Sequence, residues 1–141
     1  MIKILAVGKV KEPFYRQGIE EYAKRISKFA KLSAEEIKDT NKENEGKKIL
    51  QIAYNSYLIA LDAEGKQFSS EGLAELLKGI EQKNICFAIG SQEGLSEEVL
   101  KKADLVLSLS NMTFLHEMAR LILVEQIYRA MTINKGMKYH K

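Results

Sequence analysis

A single cysteine, Cys86, stands in the whole chain of 141 residues, so no intramolecular disulfide can form. It lies inside the apolar run "NICFAIG", where a buried thiol packs as a small hydrophobe. Histidine is almost as scarce. His116 and His140 are the two, and with one distant cysteine they make no metal-ligand pattern. Proline occurs once, at Pro13, and tryptophan not at all. With no low-complexity tract and no proline-rich or glycine-rich linker, residues 1–141 are expected to form one domain. No apolar run approaches the roughly 20 residues needed to cross a bilayer. The opening "MIKILAVGKV" has no small-residue cleavage site after it and reads as a strand, not a signal peptide. These absences predict a soluble cytoplasmic protein that binds neither membrane nor metal.

Charge is nearly balanced overall, at +3, but not along the chain. Residues 1–31 carry eight basic against three acidic residues, and residues 101–141 carry seven against three. The middle, residues 32–100, carries seven against thirteen. Two basic ends around an acidic middle predict an asymmetric surface able to steer a polyanion.

Apolar periodicity then places the elements. "IKILAVG" (Ile2 to Gly8) reads as a buried strand. "FYRQGIEEYAKRISKFA" repeats Phe14, Ile19, Tyr22, Ile26 and Phe29 at helical spacing, with Pro13 suited to the first turn. "LSAEEIKD" reads as an edge strand and "TNKENEGKKILQIAY" as a weak helix. A third strand is predicted over Tyr57 to Leu61, ending at Asp62 and a glycine turn. "SSEGLAELLKGIEQ" reads as a serine-capped helix, "NICFAIG" as a fourth strand, and "SEEVLKKA" as a short capped helix. "DLVLSLS" gives a fifth strand, and a long helix is predicted from Phe114 to about Ile133.

Strands alternating with helices predict an α/β domain whose mostly parallel sheet carries helices on both faces. Ligands of such sheets collect beyond the carboxyl ends of the strands. Three polar or glycine-bearing segments fall there: Asp62 to Gly65, Gly90 to Gly94, and Leu109 to Phe114. The last helix bears on assembly. His116, Glu117 and Arg120 lie on one side of it, and Glu125, Arg129 and Thr132 on the other, at ~100° per residue. Its apolar stripe must therefore change faces. That predicts a homodimer interface or, alternatively, a helix wedged between two layers of its own core.

The segments that could carry chemistry are few. "IGSQEGLS" follows a buried strand, and its glycines would let backbone approach a ligand, but it is neither G-x-G-x-x-G nor a P-loop. In "SLSNMTFLHEMAR", Thr113 is expected to cap the helix, and His116 shares a face with Arg120 one turn on. The chain ends on "MKYHK", which sets Tyr139 and His140 between Lys138 and Lys141. No Ser-His-Asp order or H-E-x-x-H helix is present. Residues alone reach an α/β dimer with a small-ligand pocket and basic surroundings, and they name no reaction.

Taken together, "IKILAVGKVKEPFYRQGIEEYAKRI", "LIALDAEGKQFSSEGLA", "FAIGSQEGLSEEVL", "LSLSNMTFLHEMARLILVEQIYRA" and the terminal "YHK" resemble the RlmH family over essentially the whole chain. These are SPOUT-class methyltransferases that use S-adenosyl-L-methionine to methylate N3 of a pseudouridine in 23S ribosomal RNA. The target of the family is pseudouridine 1915, in the loop of helix 69, within the large subunit or the assembled ribosome. The resemblance implies a C-terminal trefoil knot and a homodimer whose cofactor site is completed near the subunit interface. Carried across, cofactor contacts fall on Leu61, Gly90, Ser91, Gly94, and Leu109, Ser110, Asn111, Met112, Thr113 and Phe114.

The resemblance also implies the catalytic set. The imide N3 must lose a proton before it can take a methyl group, so a base or a stabiliser of the anion is needed. His140, Tyr139, His116 and Arg129 are the candidates, with His140 or a water it holds as proton acceptor and Tyr139 positioning the base. Arg120, Lys138 and Lys141 are expected to contact RNA. The tail is expected to fold back over the cofactor loops, its own or a partner's. Two positions depart from the family pattern: Gly90-Ser91 replaces two glycines, and Leu115 replaces the proline before the helix histidine. The competing readings are an RNA- or nucleotide-binding module without catalysis, and a methyltransferase of this class acting on another RNA or a small molecule.

Overall fold

The first strand serves two cores at once. In β1 (Ile2–Val7), Ile2, Ile4 and Ala6 point to one side of the sheet, and Leu5 and Val7 to the other. The same alternation runs along β4 (Ile85–Ile89), where Ile85, Phe87 and Ile89 oppose Cys86 and Ala88. Strands buried on both faces need helices on both faces, and the computed structural model, which describes residues 1–141, supplies them. Packed on the first face are α1 (Pro13–Ile26), α3 (Ser70–Gly79) and α5 (His116–Asn134). On the second lie α2 (Lys42–Ile52) and α4 (Glu97–Lys102).

The sheet contains five parallel strands in the order β2-β1-β4-β3-β5, with β2 (Leu32–Ile37), β3 (Tyr57–Gln67) and β5 (Leu105–Ser108). Its edges read as edges: β2 keeps Ala34, Glu35 and Glu36 exposed. Asn41, Ser69 and Ser96 cap α2, α3 and α4 by accepting backbone amides of Asn44, Gly72 and Val99.

Two boundaries differ from the periodicity. β3 continues past Leu61 to Gln67, but its register against β5 slips between Leu61 and Lys66, so both face Leu107. Asp62 to Gly65 loops out, its turn held by the Asp62 carboxylate accepting the Glu64 amide at 3.0 Å. Gly65 then returns so close to β5 that a Cβ there would meet the Val106 carbonyl oxygen at 2.5 Å. The last helix starts at His116, two residues later than predicted, with Leu115 at its N-cap and no side-chain cap. Thr113 is therefore not a cap.

α5 is covered by the sheet beneath and by α1 and α3 on its flanks, which accounts for most of its two-sided apolar character. The wedged arrangement thus holds within one chain, and the helix pattern does not by itself require a partner. One strip stays outside. Leu115 and Met118 are exposed, and neither Met118 nor Ile122 packs against either core cluster.

Candidate active site

The three segments beyond the strand ends meet. A pocket of about 170 Å³ opens where β4 and β5 end and where the pairing of β3 slips after Leu61, with Leu61, Ile89 and Leu107 lining it. Ala119, one turn into α5, adds to this apolar lining. Of the expected cofactor contacts, Leu61, Gly90, Ser91, Gly94, Leu109, Ser110, Met112, Thr113 and Phe114 all line it, as does His116. Asn111 does not: its side-chain oxygen accepts a hydrogen bond from Gln67 at 2.8 Å. Asp62, Ala63 and Gln92 complete the wall; they lie in the loop segments expected at the strand ends but not among the expected cofactor contacts.

Glycine geometry keeps this pocket open. A Cβ on Gly90 would lie 2.5 Å from the Gly94 carbonyl carbon, so the turn closes only without a side chain there. Gly94 takes φ +87°, a left-handed conformation that favours glycine. Ser91 needs neither property. Its φ is not positive, its carbonyl accepts the Gly94 amide at 2.9 Å, and its hydroxyl accepts the Glu93 amide at 3.3 Å. The second family glycine is thus replaced without strain. Leu115 is equally harmless: its φ of −54° is one that proline adopts, and the helix begins all the same.

Arg120 is not placed to touch RNA. Its side chain is only 8% exposed. Nη1 donates to Glu36 at 2.8 Å and Nη2 to the Gly8 carbonyl at 3.2 Å. A phosphate contact would have to break this pairing, so Arg120 acts here as an internal tie between α5 and the ends of β1 and β2. Glu117 makes a second tie, accepting the amides of Glu12 at 3.1 Å and Lys11 at 2.7 Å. Those bonds, chiefly the one from Glu12, hold its carboxyl below the ordinary range. Burial pushes the Cys86 thiol up to about 12, which leaves it unreactive.

The tail forms a cluster of its own. Gly136, at φ +69°, ends α5 in a Schellman turn, with the Met137 amide on the Thr132 carbonyl and the Gly136 amide on the Ile133 carbonyl. The chain reverses, and Tyr139 lands edge-on against Tyr128, ring centroids 4.7 Å apart. Its hydroxyl donates to Glu125 at 2.8 Å and lies 3.1 Å from the Tyr22 hydroxyl. Burial, then the bonds to Tyr22 and Glu125, raise the Tyr139 hydroxyl above the ordinary phenol range, so it stays protonated. Arg129 donates to Glu125 at 2.6 Å and to Nδ1 of His140 at 3.0 Å. That contact makes Nδ1 an acceptor and puts the proton on Nε2, which faces Glu71 at 3.4 Å. Glu125 and Tyr22, which organise the cluster, carried no functional signal in the sequence, because Tyr22 reads as part of an apolar helix stripe and Glu125 as an ordinary helix-surface acid.

The expected site residues therefore fall into two groups in one chain. His116 stands at the pocket, whereas Arg129, Tyr139 and His140 lie farther down α5, roughly 20 Å along the axis at 1.5 Å per residue. The tail does not cover its own chain's pocket. Lys138 and Lys141 are exposed on that tail.

Residues 1–140 match the family model described as a predicted SPOUT methyltransferase. The protein named ribosomal RNA large subunit methyltransferase H of Clostridioides difficile is 48% identical, over 99% of each chain. The protein of the same name from Desulfotalea psychrophila is 45% identical, over 99% of this chain and 98% of that one. The chain belongs to the RlmH family of SPOUT methyltransferases. Among solved structures, a probable methylase family protein from Haemophilus influenzae superposes with TM-score 0.62 at 16% identity, over 99% of this chain and 70% of that one. The tRNA (m1G37) methyltransferase of Aquifex aeolicus superposes with TM-score 0.57 at 15% identity, over 91% of this chain and 69% of that one. The SPOUT fold extends to both. In this methyltransferase the glycine turn of the pocket is the Gly90 to Gly94 loop, and the histidine that opens its last helix is His116.

Proposed function

We propose that the chain methylates N3 of a pseudouridine in large-subunit ribosomal RNA, at position 1915 in the loop of helix 69, using S-adenosyl-L-methionine. It would act as a homodimer on the large subunit or assembled ribosome, in the cytoplasm, with its C-terminal helix threaded as a trefoil knot. The observation that carries the reading is the convergence of three strand-end loops on one pocket in a chain of this family. The pocket suits the cofactor: Leu61, Ile89 and Leu107 offer apolar surface, and the Gly90 to Gly94 turn exposes backbone. Bound there, S-adenosyl-L-methionine supplies an electrophilic methyl carbon to the N3 lone pair.

The remaining chemistry falls to the chain's own groups. Because the tail lies far from its own pocket, a partner's tail would complete each site. Exposed Phe14, Leu115 and Met118, with Ile122 beside them, supply an apolar strip for such a dimer. In the tail, Arg129 occupies the only lone pair of the His140 ring. Opening that contact would free Nδ1 to accept the N3 proton, directly or through a water. The same step would release the Arg129 guanidinium to stabilise the anionic imide. Tyr139, held protonated, would orient the base, and His116 would wall the pocket from the helix side. Lys138 and Lys141 would meet RNA phosphate. The test is mass spectrometry of ribosomal nucleosides after incubation with S-adenosyl-L-methionine, where a methylated pseudouridine is expected. Cofactor binding without that product would remove the substrate assignment, and no heat on cofactor titration would remove the catalytic one.

A further inference from the structure

Beside the cofactor pocket lies a larger cleft, of about 730 Å³, lined by charge instead of carbon. Gln92 and His116 belong to the walls of both, so the two cavities adjoin. Lys9 and Lys11, just beyond β1, and Lys38, just beyond β2, line the cleft and are exposed. None of the three has a carboxylate within salt-bridge distance. Two of the three acids in the lining are held by the protein itself. Glu36 is paired with the buried Arg120 and Glu117 accepts two backbone amides, which leaves Asp39 as the lining carboxylate with no partner. Arg120 thereby draws Glu36 away from the lysines and adds a fixed positive charge behind it. What remains open to a ligand is three flexible ammonium groups against one carboxylate, Asp39, next to the place where the methyl group is transferred.

We infer that this cleft binds backbone phosphates of the RNA strand flanking the target nucleotide. The inference rests on the proposed function, since it takes the adjoining pocket as the methyl-donor site. Lysines suit phosphates as point charges, and each contact releases counterions, which makes affinity depend on salt. Lys9, Lys11 and Lys38 are thus the substrate contacts that the buried Arg120 cannot make.

The experiment uses the full chain and purified bacterial ribosomes, with binding followed by co-sedimentation across a salt series. The K9A/K11A/K38A variant should bind ribosomes at least about tenfold more weakly at low salt, and its log–log salt slope should fall by roughly 2, at ~0.7 per lost phosphate contact. Its heat of cofactor binding should match wild type. A control, K47A/K78A/K101A, removes three exposed lysines elsewhere and should change little. The cleft is ruled out if the first variant keeps wild-type affinity and slope, if the control weakens binding equally, or if cofactor affinity falls in parallel. The catalytic reading fails separately, when wild type binds ribosomes yet shows no heat with the cofactor.

Discussion

Gly90 and Gly94 are both glycines of the pocket turn, but for different reasons, and substitution should separate them. At Gly94 there is open space around a would-be Cβ, and only φ +87° opposes a side chain. Gly94→Ala should therefore cost stability, about 1–2 kcal/mol in a thermal or urea melt, with little direct effect on the pocket wall. At Gly90 the obstacle is the backbone of Gly94 at 2.5 Å, so Gly90→Ala must push the loop itself. Cofactor affinity should fall by about tenfold or more by calorimetry, beyond any loss of stability. Equal effects in both assays would show that the turn is merely structural. Glu45 offers a pH-dependent case. It is 3% exposed, and burial raises its carboxyl above the ordinary 4.5 while the Thr40 amide partly opposes the shift. A raised folded pKa contributes stability that is whole below the unfolded value and lost as pH rises through the folded one. At neutral pH the charged form is thus a burden. Glu45→Gln, which keeps an oxygen for Thr40, should raise Tm at about pH 7, with the gain vanishing by about pH 4. A constant gain at both would refute the assignment.

Among the elements, the start of α5 matters most, because it supplies His116 to both cavities. Leu115 sits at the N-cap with φ −54° and is 64% exposed, so it contributes little packing. Leu115→Pro should be neutral or stabilising by about 0.4–1 kcal/mol, through a stiffer unfolded chain, raising Tm by about 2 °C. A loss of helix by circular dichroism would show that the leucine is required. The strands themselves were legible in the sequence, since β-branched runs such as "NICFAIG" sit between turn residues, and so were the three loops at their ends. The extension of β3 was not, because the excursion from Asp62 to Gly65 breaks the alternation and the strand resumes only through pairing with β5. Thr113 looked like a cap because its chemistry allows it, yet the chain enters the helix two residues later. Arg120 was misleading for a related reason. A lone arginine on a helix reads as solvent-exposed, and the Glu36 that buries it is 84 residues away in sequence.

At the scale of the whole molecule, the tail poses the question that one chain cannot answer alone. Its contacts join Tyr139 to Tyr22 across 117 residues, so no local pattern could have shown where it docks. They hold Arg129, Tyr139 and His140 on the lower half of α5, away from the pocket that His116 faces. If each site combines one subunit's pocket with its partner's tail, two differently damaged subunits should repair each other. Gly90→Ala damages the pocket and leaves the tail, whereas His140→Ala damages the tail and leaves the pocket. Each homodimer should be nearly inactive on ribosomes. After equal amounts are mixed and allowed to exchange, half the dimers are mixed, and each holds one intact site and one doubly damaged one. About a quarter of wild-type activity should return, as expected for a two-fold symmetric dimer. Met118→Glu in both subunits, which puts charge into the exposed apolar strip, should abolish the recovery together with the dimer peak in sedimentation. Subunit exchange verified by mass spectrometry with no recovery would place the tail on its own chain's pocket, reached by a movement of the tail instead of by a partner.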